Sequence, residues 1–265
     1  MKLRPLFCAL IGAGLFATLS TAGADTTIVY VNAGDDGVQT GKTQISDGRV
    51  VVSSPGDGYA IFDTNKEQFI TINEADKSYM VMDQAQIQKI VDMQQQVMAQ
   101  MESQLSALPA SQRAQMKKMM SSMMPKVGGE AKPRSYERSG ETKEIAGYDC
   151  EVIEVYSGDR KASQQCVTSA DELDIPEEDY ATIRSMMDFV MDLSNSFGQI
   201  SDEFLDFGEP GKDEFPVEFI HYGKISGTST GQLKSVSFDD IDPALLEIPA
   251  GYKEMELPDM GDLGL

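Results

Sequence analysis

The chain has 265 residues, with 43 acidic and 22 basic side chains and a formal net charge of -21 at pH 7. Its hydrophobic fraction of 41% excludes a wholly disordered chain and is sufficient for a substantial core. Binding to phosphate groups needs clustered Lys and Arg, so the acidic excess argues against nucleic-acid binding and against passive docking on anionic lipid headgroups. The single histidine, His221, excludes catalytic and metal arrangements built from several histidines.

The first 24 residues have the pattern of a secretory signal peptide. Lys2 and Arg4 supply the positive start, residues 5–19 form the apolar middle, and Ala22-Gly23-Ala24 is a small-residue cleavage site. The pattern predicts export to the periplasm with removal of residues 1–24. No later segment is long and apolar enough to predict a transmembrane span.

The first part of the predicted mature chain has the pattern of a β-meander. Apolar and polar residues alternate with a period near two in several short runs that are separated by turn residues. The predicted strands cover residues 26–31, 50–52, 59–63, 68–72 and 78–82. This spacing predicts a large antiparallel sheet in which each strand buries one face.

A helical hairpin is predicted over residues 83–124, inserted between strands. Asp83 can cap the first helix, Pro109 ends it, and Ser111 can cap a second one. A third helix is predicted over residues 176–207, because Pro176 suits a first helical turn and an acidic run follows it.

The remaining strands carry the two cysteines that cleavage would leave. Residues 140–155 and 161–168 are predicted strands with a hairpin turn at Ser157-Gly158-Asp159, and further strands are predicted at 215–222 and 232–238. An even cysteine count in an exported chain predicts a disulfide between Cys150 and Cys166. The whole of residues 25–257 is predicted to form one α+β domain, followed by a flexible tail at 258–265.

Four local phrases, taken in order, resemble an uncharacterised family of exported bacterial proteins. They are the repeated strand line from Ile61-Phe62-Asp63 to Met82-Asp83, then Leu108-Pro109-Ala110-Ser111-Gln112-Arg113-Ala114-Gln115-Met116, then Glu144-Ile145-Ala146-Gly147-Tyr148-Asp149-Cys150, and finally Ile248-Pro249-Ala250-Gly251-Tyr252. The sheet of that family looks like the half-barrel of the LolA/LolB lipoprotein carriers. The resemblance implies an open, curved antiparallel sheet, with the helical hairpin and the third helix covering its concave face. It implies no established activity and no mapped site.

Methionine is concentrated in the hairpin and just before it, with ten of the sixteen between Met80 and Met124. Flexible thioether side chains suit surfaces that repack around varied apolar partners, so this face is a candidate ligand site or lid. The candidate residues are Met98, Met101, Leu105, Met116, Met119, Met120, Met123, Met187 and Phe197. Plain core packing of a helix face is the alternative, and Cu(I) binding by thioethers is a second alternative.

The sequence favours a non-catalytic periplasmic protein that binds a lipid-like or other apolar ligand. The alternatives are an envelope protein that binds a protein partner or acts in stress without a small ligand, and a Met-rich Cu(I) protein. No catalytic residues and no cofactor are predicted, because no nucleophile elbow, Ser-His-Asp set or phosphate loop is present. His221 shares a strand face with Phe219, which is typical of a packed or surface histidine.

Overall fold

The structure, a computed structural model, describes residues 25–35, 37–56, 58–106, 109, 112, 134–197, 213–223 and 227–256. Within the two long helices, it does not describe the side chains of residues 94, 98, 101, 104 and 194–197. The predicted signal peptide, nearly all of the predicted second hairpin helix and the predicted tail lie outside the described residues.

Most of the described chain forms one open sheet of twelve strands. The strands, named in chain order, are β1 (Thr26–Gly34), β2 (Gly37–Ser46), β3 (Arg49–Ser53), β4 (Gly58–Asp63), β5 (Gln68–Asn73), β6 (Ser78–Met82), β7 (Arg134–Ile145), β8 (Tyr148–Ser157), β9 (Arg160–Ser169), β10 (Glu214–Tyr222), β11 (Thr228–Ser237) and β12 (Lys253–Glu254). Their order across the sheet is β12-β6-β5-β4-β3-β2-β1-β11-β10-β9-β8-β7. All neighbours are antiparallel except β12 and β6, so the large, curved, unclosed antiparallel sheet is confirmed.

The strand assignments differ from the sequence prediction at β2 and at β7–β8, and the two-residue strand β12 was not predicted either. Strand β2 was not predicted, because Gly37 and Gly41 interrupt a run that is otherwise mostly polar. The predicted strand over 140–155 is two strands, since Ala146 and Gly147 have φ of 53° and 89° and turn the chain between β7 and β8. Consecutive residues with positive φ form the tight hairpin turn whose twist matches that of the flanking strands.

In the part of the chain that the structure describes, two long helices accompany the sheet, α1 (Gln84–Ser106) and α2 (Glu177–Phe197). The Asp83 carboxylate accepts a hydrogen bond from the backbone N–H of Gln86 at 2.8 Å, which caps the start of α1. Helix α2 begins directly after Pro176, and the predicted continuation to residue 207 lies outside the described residues. Among the described residues, neither helix has the length and apolar character needed to cross a bilayer.

The sheet buries side chains on both faces. The larger cluster joins the strands to α2, and includes Ile28, Ile45, Val50, Phe62, Ile183, Phe189, Phe215, Val217 and Leu233. A smaller cluster on the other side of β3 to β6 contains Val51, Ile61, Ile70, Ile72 and Leu246, with Tyr252 packed against it. The segment 243–252 therefore closes one face of the meander, and α2 closes the other.

Asp179, in the first turn of α2, is a buried carboxylate with an exposed fraction of 8%. It accepts a hydrogen bond from the Thr26 hydroxyl, which links the helix start to β1. Burial raises the pKa of Asp179 above its usual value, and the nearby Asp25 and Glu178 carboxylates raise it further, whereas the Thr26 hydrogen bond opposes the shift.

We expect the free energy of unfolding of Asp179→Asn, relative to that of the wild type, to increase as the pH rises. Because the pKa of Asp179 is raised in the folded state, folding favours the protonated form of this carboxyl. The stability that the protonated carboxyl contributes is therefore fully present below pH ~4 and is lost as the pH rises through the folded-state pKa. Asparagine keeps an acceptor for Thr26 and cannot ionise. Urea unfolding at several values between pH 3.5 and pH 7 should show the variant gaining on the wild type across this range.

Glu177→Gln is the matched control, because Glu177 is an exposed acid in the same helical turn. It removes the same favourable interaction with the helix dipole without removing a buried charge. If both variants showed the same dependence on pH, the burial of Asp179 would not be the cause.

Candidate functional site

The candidate site is a cavity of about 580 Å³ between α2 and strands β1, β2, β10 and β11. Most of its wall is apolar. The apolar residues that line it are Ile28, Tyr30, Ala33, Val52, Ile183, Met186, Met187, Val190, Phe215, Pro216 and Phe219. The polar residues that border it are Asn32, Asp35, Gln39, Lys42, Thr43, Ser229 and Thr230.

The wall changes in character along β1. Ile28, Tyr30, Asn32 and Gly34 occupy alternate positions, so they lie on the same face of the strand. Ile28 is 1% exposed, whereas Gly34 is exposed at the turn that leads to β2. The cavity therefore has an apolar inner end beneath α2 and a more polar end at the β1–β2 turn.

Tyr30 contributes its ring to the cavity while its hydroxyl is already satisfied. The hydroxyl donates a hydrogen bond to the backbone carbonyl of Pro216. This carbonyl lies at a bulge in β10, where the register with β9 shifts between Pro216 and Glu218. Burial raises the pKa of Tyr30 strongly, so the side chain stays a neutral hydrogen-bond donor at physiological pH.

Two glycines make room for the side chains at the polar end. A Cβ at Gly231 of β11 would lie 2.2 Å from the ring of Phe219 and 2.6 Å from Oδ1 of Asn32. A Cβ at Gly41 of β2 would lie 3.0 Å from Nδ2 of Asn32. Because Gly231 has no side chain, the Phe219 ring can lie across β11, with its centroid 6.0 Å from that of the Tyr30 ring. The Asn32 amide lies between the backbone of Gly231 and the backbone of Gly41.

The amide of Asn32 has no hydrogen-bond partner among the described residues. Its Oδ1 is buried and accepts no hydrogen bond, and no hydrogen bond from Nδ2 is found within the described part of the chain. Burying a polar group without a hydrogen-bond partner lowers the stability of the fold by roughly 1–3 kcal/mol, so such groups are uncommon in protein interiors.

Charge is sparse around the cavity. Asp35 lies at the exposed end, where a Cβ on Gly227 would be 2.9 Å from its carboxylate. Lys42 also borders the cavity, but it alternates with Gly41 and Thr43 on β2, so its side chain starts on the opposite face of the strand.

The predicted site residues are distributed differently. Met187 lines the cavity, whereas Leu105 is buried at the end of α1 and does not border it. Met98 and Met101 belong to α1 and Phe197 ends α2, but their side chains are outside the description. Met116, Met119, Met120 and Met123 lie outside the described residues, so the lid and the Cu(I) site stay predictions.

Other buried polar atoms occur on β9 and β10. Ser163 pairs with His221 across these strands, and the Ser163 hydroxyl and the His221 Nε2 are both buried with no hydrogen-bond partner in the described ranges. Gln165, two residues from Ser163, buries its Nε2 in the same way. These residues do not border the cavity, although Phe219 pairs with Gln165 and forms part of the cavity wall.

A second concavity, lined by Glu67, Glu177, Arg184, Asp188, Asp192 and Asp213 among others, lies beside α2. In the ranges that the structure describes, no three or more His, Cys, Asp or Glu side chains are grouped so that they could hold a metal ion.

The fold and cavity define a mostly β protein with a curved, unclosed antiparallel sheet and an apolar cavity beneath a helix. The chain belongs to a family described as a domain of unknown function (DUF4412), whose model matches residues 90–252. No curated protein matches the chain.

The solved structures that show a distant likeness to the chain include one of PNGF-II and two of MucB with MucA. PNGF-II has a TM-score of 0.39 and 9% identity, covering 91% of this chain and 32% of its own. The Pseudomonas aeruginosa MucA/MucB complex has a TM-score of 0.32 and 8% identity, covering 83% and 54%. MucB in complex with MucA(peri) has a TM-score of 0.33 and 8% identity, covering 88% and 57%. The chain thus spans about a third of PNGF-II and just over half of MucB.

Proposed function

We propose that this protein is an exported, non-catalytic binding protein that holds a lipid-like apolar ligand in the cavity beneath α2. The cavity itself is the observation that carries the proposal. Its volume of about 580 Å³ lies within the range of roughly 300–1,000 Å³ that is common for small-ligand sites. Its lining combines an apolar wall with a few polar groups at one end, which is the usual composition of such sites.

Three further observations support the proposal. The Cys150–Cys166 disulfide is consistent with an oxidising compartment outside the cytoplasm. The first 24 residues have the pattern of an export signal, and the sequence resembles proteins with a LolA/LolB-like sheet. Met186 and Met187 give the wall adaptable side chains, which suits ligands of varied shape.

We expect Val190→Trp to weaken the binding of an apolar probe at least tenfold. Val190 is half-buried on α2 and lines the cavity, so an indole ring at this position would occupy the space that the ligand needs. The measurement is a fluorescence titration of the mature protein with 1-N-phenylnaphthylamine. Urea unfolding of the same variant should show a loss of no more than about 1–3 kcal/mol, because overpacking strains the wall.

Val38→Trp is the matched control. Val38 is 74% exposed on β2, and it alternates with Gly37 and Gln39, which border the cavity. The control adds the same apolar ring to the surface without entering the cavity. If the wild type did not bind the probe saturably, or if both variants bound it equally well, the proposal would be wrong.

A further inference from the structure

We infer that the cavity selects an amphiphile with an uncharged headgroup that both donates and accepts hydrogen bonds, such as an amide or a hydroxyl, and that the Asn32 amide recognises it. This inference rests on the proposed function, because it specifies the ligand of the same cavity. The observation behind it is an amide that lies between the apolar wall and the open end and whose Oδ1 is buried without a partner among the described residues.

The position of Asn32 matches the boundary between the tail and the headgroup of such a ligand. On the cavity side of β1, Ile28 and Tyr30 lie deeper beneath α2, and Gly34 lies at the exposed turn. An apolar tail that filled the inner end would place its first polar group next to Asn32. The Phe219 ring, which lies over Gly231, flanks the same point and excludes water from one side of it.

The chemistry of the amide determines the class of headgroup. A carboxamide offers one acceptor oxygen and two donor hydrogens, and here neither end has a protein partner among the described residues. A ligand that both donates and accepts would satisfy the two ends together. A hydrocarbon would leave the amide unsatisfied, which costs binding free energy.

The charges near the cavity disfavour a carboxylate headgroup. Asp35 lies at the open end, and the chain carries a net charge of -21. A carboxylate could accept from Nδ2 of Asn32, but its charge would be partly desolvated without a guanidinium or ammonium directed at the same face. The side chain of Lys42, the one basic residue that borders the described cavity, starts on the other face of β2.

The test compares two ligands that differ only in this headgroup, dodecanamide and dodecanoate, as competitors of 1-N-phenylnaphthylamine at pH 7.5. We expect dodecanamide to displace the probe at a concentration roughly tenfold or more below that of dodecanoate. In Asn32→Leu, the affinity for dodecanamide should fall about three- to tenfold, which corresponds to the loss of one neutral hydrogen bond, while the apolar probe should bind no more weakly than it binds the wild type, because it leaves the Asn32 amide unsatisfied.

Gln44→Leu is the matched control for Asn32→Leu. Gln44 lies on β2 next to Ile45, and Ile45 belongs to the cluster beneath α2. The side chain of Gln44 therefore starts on the opposite face of the strand, and Gln44 does not border the cavity. This variant should keep the preference of the wild type for dodecanamide.

The two proposals fail in different ways. Equal displacement by the two ligands, or an unchanged preference in Asn32→Leu while the probe still binds, would overturn the headgroup inference alone. A wild type that does not bind the probe would overturn the proposed function. Preference for dodecanoate would show that the cavity takes an anionic lipid.

Discussion

Phe62→Ala is expected to lower the free energy of unfolding by about 3–5 kcal/mol, since it removes a large aromatic side chain from a filled core. Phe62 of β4 is fully buried, and its ring lies 5.0 Å from that of Phe69 on β5 and 5.6 Å from that of Phe189 on α2. Phe69 and Phe189 are also 5.6 Å apart, so the three rings form a closed cluster. The truncation would leave a cavity at the junction that holds α2 on the sheet.

Equilibrium unfolding in urea, followed by circular dichroism, measures this loss. Phe238→Ala is the control, because Phe238 is 37% exposed and its truncation should cost much less. A loss below about 1 kcal/mol for Phe62→Ala would contradict the assignment of this cluster to the core. Since α2 also supplies one wall of the cavity, Phe62→Ala should weaken binding of the apolar probe.

Removal of the disulfide is expected to lower the free energy of unfolding by about 3 kcal/mol from the chain entropy of a closed loop of this size. Cys150 on β8 and Cys166 on β9 are joined with a Cα–Cα distance of 5.3 Å and a sequence separation of 16. Both are buried within the cluster that continues beneath α2. The variant is Cys150→Ala with Cys166→Ala, and urea unfolding of the oxidised wild type gives the reference.

The reduced wild type is the matched control for this pair. Reduction keeps both sulfur atoms in the core and removes only the crosslink, so it separates the loop entropy from the loss of packing volume. We expect the reduced protein to lie between the oxidised wild type and the double alanine variant. If all three unfolded at the same urea concentration, the bridge would contribute nothing to stability.

The disulfide and the broad sheet are the features that the sequence predicted best. Even cysteine content and a turn at Ser157-Gly158-Asp159 predicted a bridged hairpin, and the pairing of β8 with β9 and the Cys150–Cys166 bond confirm it. The alternation of apolar residues predicted a large antiparallel sheet, which is confirmed. Both signals are local, because strand periodicity and hairpin turns involve neighbouring residues.

The prediction was weaker where the local pattern is weak. Strand β2 has exposed residues at most of its first six positions and contains two glycines, so it lacks the alternation that marks a strand. Its position comes from pairing with β1 and β3, which supply partners for its backbone groups. The glycines that made the strand difficult to predict also leave space at the cavity, as Gly41 does beside Asn32.

Most of the residues that line the cavity were missed because they are far apart in the chain. Sequence analysis placed the candidate site mainly on the Met-rich helices, and Met187 is the one residue of that set shown to line the cavity. Tyr30 and Phe219 meet there although almost 190 positions separate them, since β1 pairs with β11 and β11 with β10. The apolar periodicity of one strand does not indicate which distant strand it will contact.

The sequence by itself determined the acidic charge, the alternation that makes each strand bury one face, the helix start at Asp83 and the cysteine pair. These properties depend on composition and on contacts between residues that are close in the chain. Only the tertiary structure decided that β1 lies beside β11, that α2 lies over this junction, and that the buried Oδ1 of Asn32 meets no partner among the described residues there. The reason is that a cavity is the space left between elements, and its shape depends on long-range pairing and packing that no single segment encodes.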